Sequence, residues 1–305
     1  MRNNFAKSLV KLAKLNKKIV LLSGDIGNKL FDDFKKKFPD RFYNCGVAEN
    51  NMVGVAAGLA VTGYIPFVYT ITPFLVSRSF EQIRLDVCYP NLNIFIVGVG
   101  GGLSYSRLGP THHSVEDLSL MQSIPNIKIY TPSSPDELNI LLPKILIKKG
   151  PCYLRLGKKG EPNFHSVNKI KMPATKITEG KKILILSLGN ILQESYELYL
   201  KLKSKNVESC LVTVNCIKPF NLSYFKNLIK KFKTIIIVEE HLFHGGLASL
   251  IKSNYDLLKL KDKKVLSFNV PDKFLNGLGE QNEARDIIGI SGSKICKKVL
   301  KIVKN

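Results

Sequence analysis

The chain has 305 residues, 45% hydrophobic and 9% aromatic, and its 46 Lys and Arg against 24 Asp and Glu give a formal charge of +22. That length and apolar content suffice for two domains with separate cores, and no run of about 18 apolar residues is present to form a membrane span. Only seven of the basic residues are Arg, and the lysines fall in scattered short pairs. The charge therefore reads as a compositional habit, with a basic rim attracting phosphorylated sugars as the alternative, and no nucleic-acid partner and no membrane are expected.

In chain order, 3–16 carries a helical pattern. Its KLAKLNKK stretch is amphipathic and no small-residue cleavage site follows, so a soluble, cytoplasmic protein is expected rather than an exported one. Strands are expected at 19–24, 42–45, 65–70, 93–99, 127–132 and 152–156, with helices at 49–62, 74–88, 114–123 and 135–148 between them. A polar stretch with Gly and Pro then marks a linker at 166–182, dividing a first domain (1–165) from a second (183–305). The second repeats the alternation, with strands at 183–189, 210–215, 234–240 and 265–270. Its helices are expected at 190–204, 221–231, 246–259 and 292–303. The expected fold class is α/β, in two domains, each with a mainly parallel sheet flanked by helices. The six cysteines form no CxxC pair, which favours free thiols in a reducing compartment and no metal ligands.

The segment GVAENNMVGVAAGLAVTG (46–63) departs from ordinary patterning. Gly54, Ala56, Ala57, Gly58 and Ala60 make a helix that another backbone can approach closely. Glu49 stands near its start beside apolar Val47 and Ala48, where a lone carboxylate is costly unless paired or functional. The plain alternative is a helix N-terminal Glu favoured by the dipole, with Asn50 and Asn51 as polar caps.

NCGVAENNMVGVAAGLAVTGYIPFVYTITPFL resembles the pyrimidine-binding domain of transketolases and deoxyxylulose-phosphate synthases, whose motif is like GVAEQNMVGVAAGLA. The resemblance implies thiamine diphosphate as cofactor. Glu49 stands where the family's glutamate bonds N1′ of the aminopyrimidine ring and relays a proton with it. TPFLVSRSFEQIRLDVC (72–88) resembles the segment whose aromatics hold that ring, which makes Phe74 and Phe80 candidates for cofactor binding. GPTHHSVEDLSLMQSIPNIKIYTP (109–132) resembles the family's GPTHQ segment, and His112 matches the histidine that meets substrate near the reacting carbons. CYLRLGKKGEP (152–162) resembles the strand ending in an arginine that contacts substrate phosphate. Arg155 is that candidate, with Lys158 nearby; a domain-edge salt bridge is the alternative. IKPFN (217–221), VEEHLFHGGLASLI (238–251) and GLGEQNEARDIIGISGSKI (277–295) resemble the C-terminal domain of the family, where His241 and His244 are expected to be structural.

Two departures matter. The family's diphosphate-binding domain carries GDG and, about 25 residues on, NN, which hold a divalent metal. Gly24–Asp25–Ile26 and Asn50–Asn51 mimic that spacing, but Ile26 would block a phosphate and Asn50–Asn51 belong to the Glu49 helix. The resemblance thus implies the C-terminal half of a split enzyme, with Mg2+ (or Ca2+) held by a partner N-terminal subunit carrying GDG and NN, and an α2β2 heterotetramer. Secondly, Leu108 stands where many transketolases place an acceptor-binding Asp, and Gly100 where a phosphate-contacting His is usual. Either Arg107, Arg78 and Arg155 supply a different anion clamp for a sugar phosphate, or the substrate is an unusual sugar. The implied reaction is transfer of a two-carbon ketol unit from a ketose to an aldose. The alternatives are the β-subunit of another thiamine enzyme, a deoxyxylulose-phosphate-synthase-like protein or a 2-oxoacid dehydrogenase, and a basic interaction protein without catalysis.

Overall fold

A computed structural model of the chain describes residues 1–27, 29–164 and 167–303. Helix α1 (Arg2–Leu15) buries Phe5, Ala6, Leu9, Val10 and Ala13, a stripe at helical spacing. It leads into β1 (Ile19–Ser23), an apolar run buried on both faces as a central parallel strand must be. A short α2 (Asp32–Lys37), β2 (Phe42–Asn44), α3 (Glu49–Val61) and β3 (Ile65–Ile71) follow. The helix expected over 74–88 is broken at 77–79. Its parts are α4 (Thr72–Val76) and α5 (Phe80–Gln82), the latter running into a π-helical turn at Ile83–Cys88. Then come β4 (Phe95–Val99), α6 (Asp117–Ser123), β5 (Lys128–Tyr130), α7 (Pro135–Leu146) and β6 (Cys152–Leu156). Ser134 caps α7 through its hydroxyl, which accepts from the Glu137 amide.

The second half contains β7 (Ala174–Lys176), β8 (Ile183–Leu188), α8 (Leu192–Lys203), β9 (Ser209–Val214), β10 (Cys216–Lys218) and α9 (Leu222–Ile229). It continues with β11 (Thr234–Glu239), α10 (Leu247–Ser253), β12 (Lys264–Phe268), α11 (Gln281–Ile287) and α12 (Gly292–Val303). Among the described residues there are two sheets, of order β10-β5-β6-β4-β3-β1-β2 and β12-β11-β8-β9-β7. Both are parallel except at one edge, where β10 runs against β5 and β7 against β9. This is the expected α/β class, with helices covering both sheets.

The two halves interlock more than a linker reading implies. Strand β10 belongs to the second half yet completes the edge of the first sheet. The expected boundary between 165 and 166 lies outside the described residues. All six cysteines are free, and five are buried. Among the described residues no helix is long and apolar enough to cross a membrane.

Candidate active site

Glu49 opens α3, so its carboxylate sits where the first free amides of the helix create positive potential. It is 2% exposed, although neighbouring Val47 is 73% exposed. One oxygen, Oε2, accepts from Arg78 Nη1 at 2.7 Å. Arg78 reaches it from the break between α4 and α5, and Asn50 holds that break by donating to the Arg78 carbonyl and to Gln82. Oε1 has no hydrogen-bond partner among the described residues.

From this ion pair a line of ring contacts crosses to the other strand ends. The Arg78 guanidinium lies 5.3 Å from the centroid of the half-buried Phe74 ring. Phe74 meets His112 edge-on at 5.1 Å, and His112 meets Tyr105 at 6.1 Å. Lys158 lies over Tyr105 at 4.6 Å. Burial pushes the Tyr105 hydroxyl up, and the adjacent Arg2 guanidinium works against that shift. Five side chains from Glu49 to Tyr105 therefore form one surface, with a basic rim of Arg2 and Lys158 at its far end. His112 is held by a 2.9 Å contact between Nδ1 and the Thr111 hydroxyl. Burial, with His113 beside it, lowers its pKa, which favours the neutral imidazole. His113 is instead buried, with Nε2 3.1 Å from the Ser106 carbonyl.

The remaining candidates go elsewhere. Phe80 packs against the core over the first sheet and makes no ring contact with Phe74 or His112. Arg107 is ion-paired with Glu280 at 3.0 Å on an exposed surface, bridging to the N-terminus of α11. Arg155 is not placed as an anion clamp. It is 3% exposed, and its Nε and Nη2 donate to both oxygens of Asp117, with further bonds to the Ser114 and Glu240 carbonyls. Desolvating a guanidinium requires such pairing, and this pairing leaves it internal. The salt-bridge alternative is the one realised, at the centre of the contact between the halves rather than at an edge. Asp25 accepts from Asn44 while Asn50 serves the Arg78 turn, so the GDI and NN segments support separate local structures.

Two site residues are not singled out by the sequence reading. A side chain at Gly100 would come within 2.1 Å of the Tyr105 ring, so Tyr105 fills the space beside the position where the family histidine is usual. Tyr105 lies in a Gly- and Ser-rich loop, where an aromatic ring is itself a signal. Arg2 is hidden in a generic amphipathic helix.

The carboxylate thus keeps one uncommitted oxygen and is joined through Arg78 to a flat apolar ring, an arrangement that could receive a protonatable heteroaromatic ring. Among the described residues no group of three or more His, Cys, Asp and Glu is placed to hold a metal ion.

Residues 1–161 match the transketolase pyrimidine-binding domain, and residues 173–295 match the transketolase C-terminal domain. An apulose-4-phosphate transketolase subunit of Actinobacillus succinogenes is 39% identical over 220 residues, covering 72% of this chain and 71% of that protein. The 1-deoxy-D-xylulose-5-phosphate synthase of Dictyoglomus thermophilum is 36% identical across 99% of this chain but only 49% of its own length. A split-gene transketolase, solved as an inactive β4 tetramer, superposes with a TM-score of 0.85 at 31% identity, covering 98% of this chain and 96% of that one.

Proposed function

The chain belongs to the transketolase family, and on that premise we propose that it is the C-terminal subunit of a split, thiamine-diphosphate-dependent transketolase. The reaction is transfer of a two-carbon ketol unit from a ketose to an aldose. One observation carries the reading: a buried carboxylate, an aromatic ring and an imidazole follow one another in direct contact, Glu49 through Arg78 and Phe74 to His112.

Bound thiamine diphosphate supplies the nucleophilic carbon and electron sink that ketol transfer requires. Glu49 Oε1 would hold or pass the proton at the pyrimidine N1′, and Arg78 fixes the carboxylate by occupying Oε2. Phe74 would cover one face of the pyrimidine. His112, kept neutral by burial, presents Nε2 to a substrate oxygen while Thr111 orients the ring. Arg2 and Lys158, rather than Arg155, supply positive charge for a phosphorylated or otherwise anionic sugar. The diphosphate and its Mg2+ (or Ca2+) would be held by a partner N-terminal subunit, in an α2β2 heterotetramer in the cytoplasm.

Calorimetric titration tests the division of labour. Thiamine diphosphate should give no binding heat with this chain alone and saturable heat after the partner subunit is added. In the reconstituted complex, Glu49→Gln should lower ketol-transfer turnover by a factor of about 100 or more. Tight cofactor binding by the isolated chain, or near-normal turnover of the variant, would overturn the proposal.

The synthase-like reading rests on the 36% identity to half of a deoxyxylulose-phosphate synthase. Correspondence in length with separate transketolase subunits favours ketol transfer. Release of CO2 from pyruvate by the complex would favour the synthase or 2-oxoacid dehydrogenase class instead.

A further inference from the structure

The loop from Gly100 to Ser114, which carries Tyr105 and His112, is gripped by the second half of the chain. At its neck, Gly102 and Ser114 exchange backbone hydrogen bonds of 2.7 and 2.9 Å. From below, the neck is tightened by Arg155, whose Nη2 donates to the Ser114 carbonyl, and by side chains from beyond residue 183. Asn190 Nδ2 donates to the Gly101 carbonyl and to Ser104 Oγ, both at 3.1 Å. Gln281 donates to Ser104 Oγ and to Glu240. Arg285 pins Glu240 by Nε and Nη2 and also donates to the Asn190 carbonyl. The Glu240 side chain lies so close under Gly102 that a Cβ there would come within 2.6 Å of it. Leu103 is fully buried in the apolar core of the second sheet, with Ile191, Leu192 and Leu278. Ser106, whose carbonyl faces His113, donates to the Leu278 carbonyl.

We propose that Asn190, with Gln281 and the Glu240–Arg285 pair behind it, is a positioning residue for His112. The C-terminal domain then helps to set substrate geometry. This inference rests on the functional reading above for its kinetic arm only. Among the described residues of the second half, Asn190 is the one whose side chain donates to the Gly101 carbonyl. Removing it loosens the neck of the loop, and small displacements of a reacting group cost rate steeply.

The test compares Asn190→Ala with the parent in the reconstituted complex, alone and combined with His112→Ala. Amide hydrogen exchange across residues 100–114 is measured on the same proteins. Expected are exchange at least about tenfold faster in that segment with α3 unchanged, and about tenfold lower kcat/KM with unaltered cofactor affinity. No further loss is expected when His112 is already Ala. Unchanged exchange, or an equal fractional loss in the His112→Ala background, would overturn the proposal. If Asn190→Ala fails to fold, Gln281→Ala, from a partly exposed site, is read by the same criteria. If the parent complex transfers no ketol unit, the functional reading fails, while the exchange measurement still decides the positioning.

Discussion

Arg155 and Arg78 carry the same charge into opposite surroundings. Arg155 lies between the halves against Asp117 and two carbonyls, where its guanidinium, together with the Tyr153 hydroxyl, stabilises the buried Asp117 carboxylate. Arg155→Ala should therefore lower unfolding free energy by about 3–5 kcal/mol, read as a fall in the urea midpoint. Arg78 is half exposed, so solvent screens its charge, but its partner Glu49 is 2% exposed and depends on it for its ion pair. Arg78→Ala should lower the midpoint by less than Arg155→Ala, by about 1–3 kcal/mol, and lower cofactor affinity of the complex. Arg2→Ala and Lys158→Ala should raise KM for a phosphorylated sugar roughly tenfold with less effect on the midpoint than Arg155→Ala, because each offers a partly exposed charge to an anion. Equal effects of Arg155 and Arg2 substitutions on KM would contradict this division. Glu49 is legible from sequence alone because a carboxylate among small apolar residues has few structural excuses. Arg155 is not, because an arginine at a strand end looks the same whether its partner is a ligand or a buried aspartate 38 positions earlier in the chain.

Among elements, the long apolar strands and the amphipathic helices were legible, because both periods persist over several residues. The elements that escaped are short or lack a period. Helix α2 is a six-residue charged turn, and β7 and β10 are three-residue edge strands defined by their partners. Helix α3 is unusual in the other direction. Met52, Val53, Ala56 and Ala57 face the core, while Gly54 and Gly58 meet nothing within 4 Å and Val55 and Val61 are exposed. A helix apolar on both sides calls for cover on both. Gly58→Leu should thus leave the isolated chain as stable as the parent, or stabilise it by up to about 1 kcal/mol through helix propensity. The same substitution should abolish association with the partner subunit in size-exclusion chromatography. Undiminished association would remove α3 from the interface.

At the scale of the whole molecule, the halves are joined through a buried polar centre rather than by a linker alone. His241, from the end of β11, accepts the Leu118 amide at Nε2 and contacts the Leu242 carbonyl through Nδ1. That pairing requires Nε2 without a proton and Nδ1 with one, the neutral ring. Burial pushes His241 down to about 4, with Asp117 opposing the shift and Arg155 adding to it. Between the ordinary value of 6.5 and about 4, the unfolded chain therefore binds a proton that the folded chain does not. The contribution of His241 is complete above pH 6.5 and is lost as pH falls through that window, on the order of 3 kcal/mol in all. Burial works to raise Asp117, but Arg155 beside it prevails and holds the carboxyl below its usual range, so its loss comes only at lower pH. Urea midpoints at about pH 7.5, 6 and 5 should fall steadily for the parent chain. For His241→Gln, whose amide oxygen can still accept from Leu118 but cannot titrate, they should fall much less. Parallel curves would show that acid unfolding starts elsewhere, and that the junction between the halves does not sense protons through this ring.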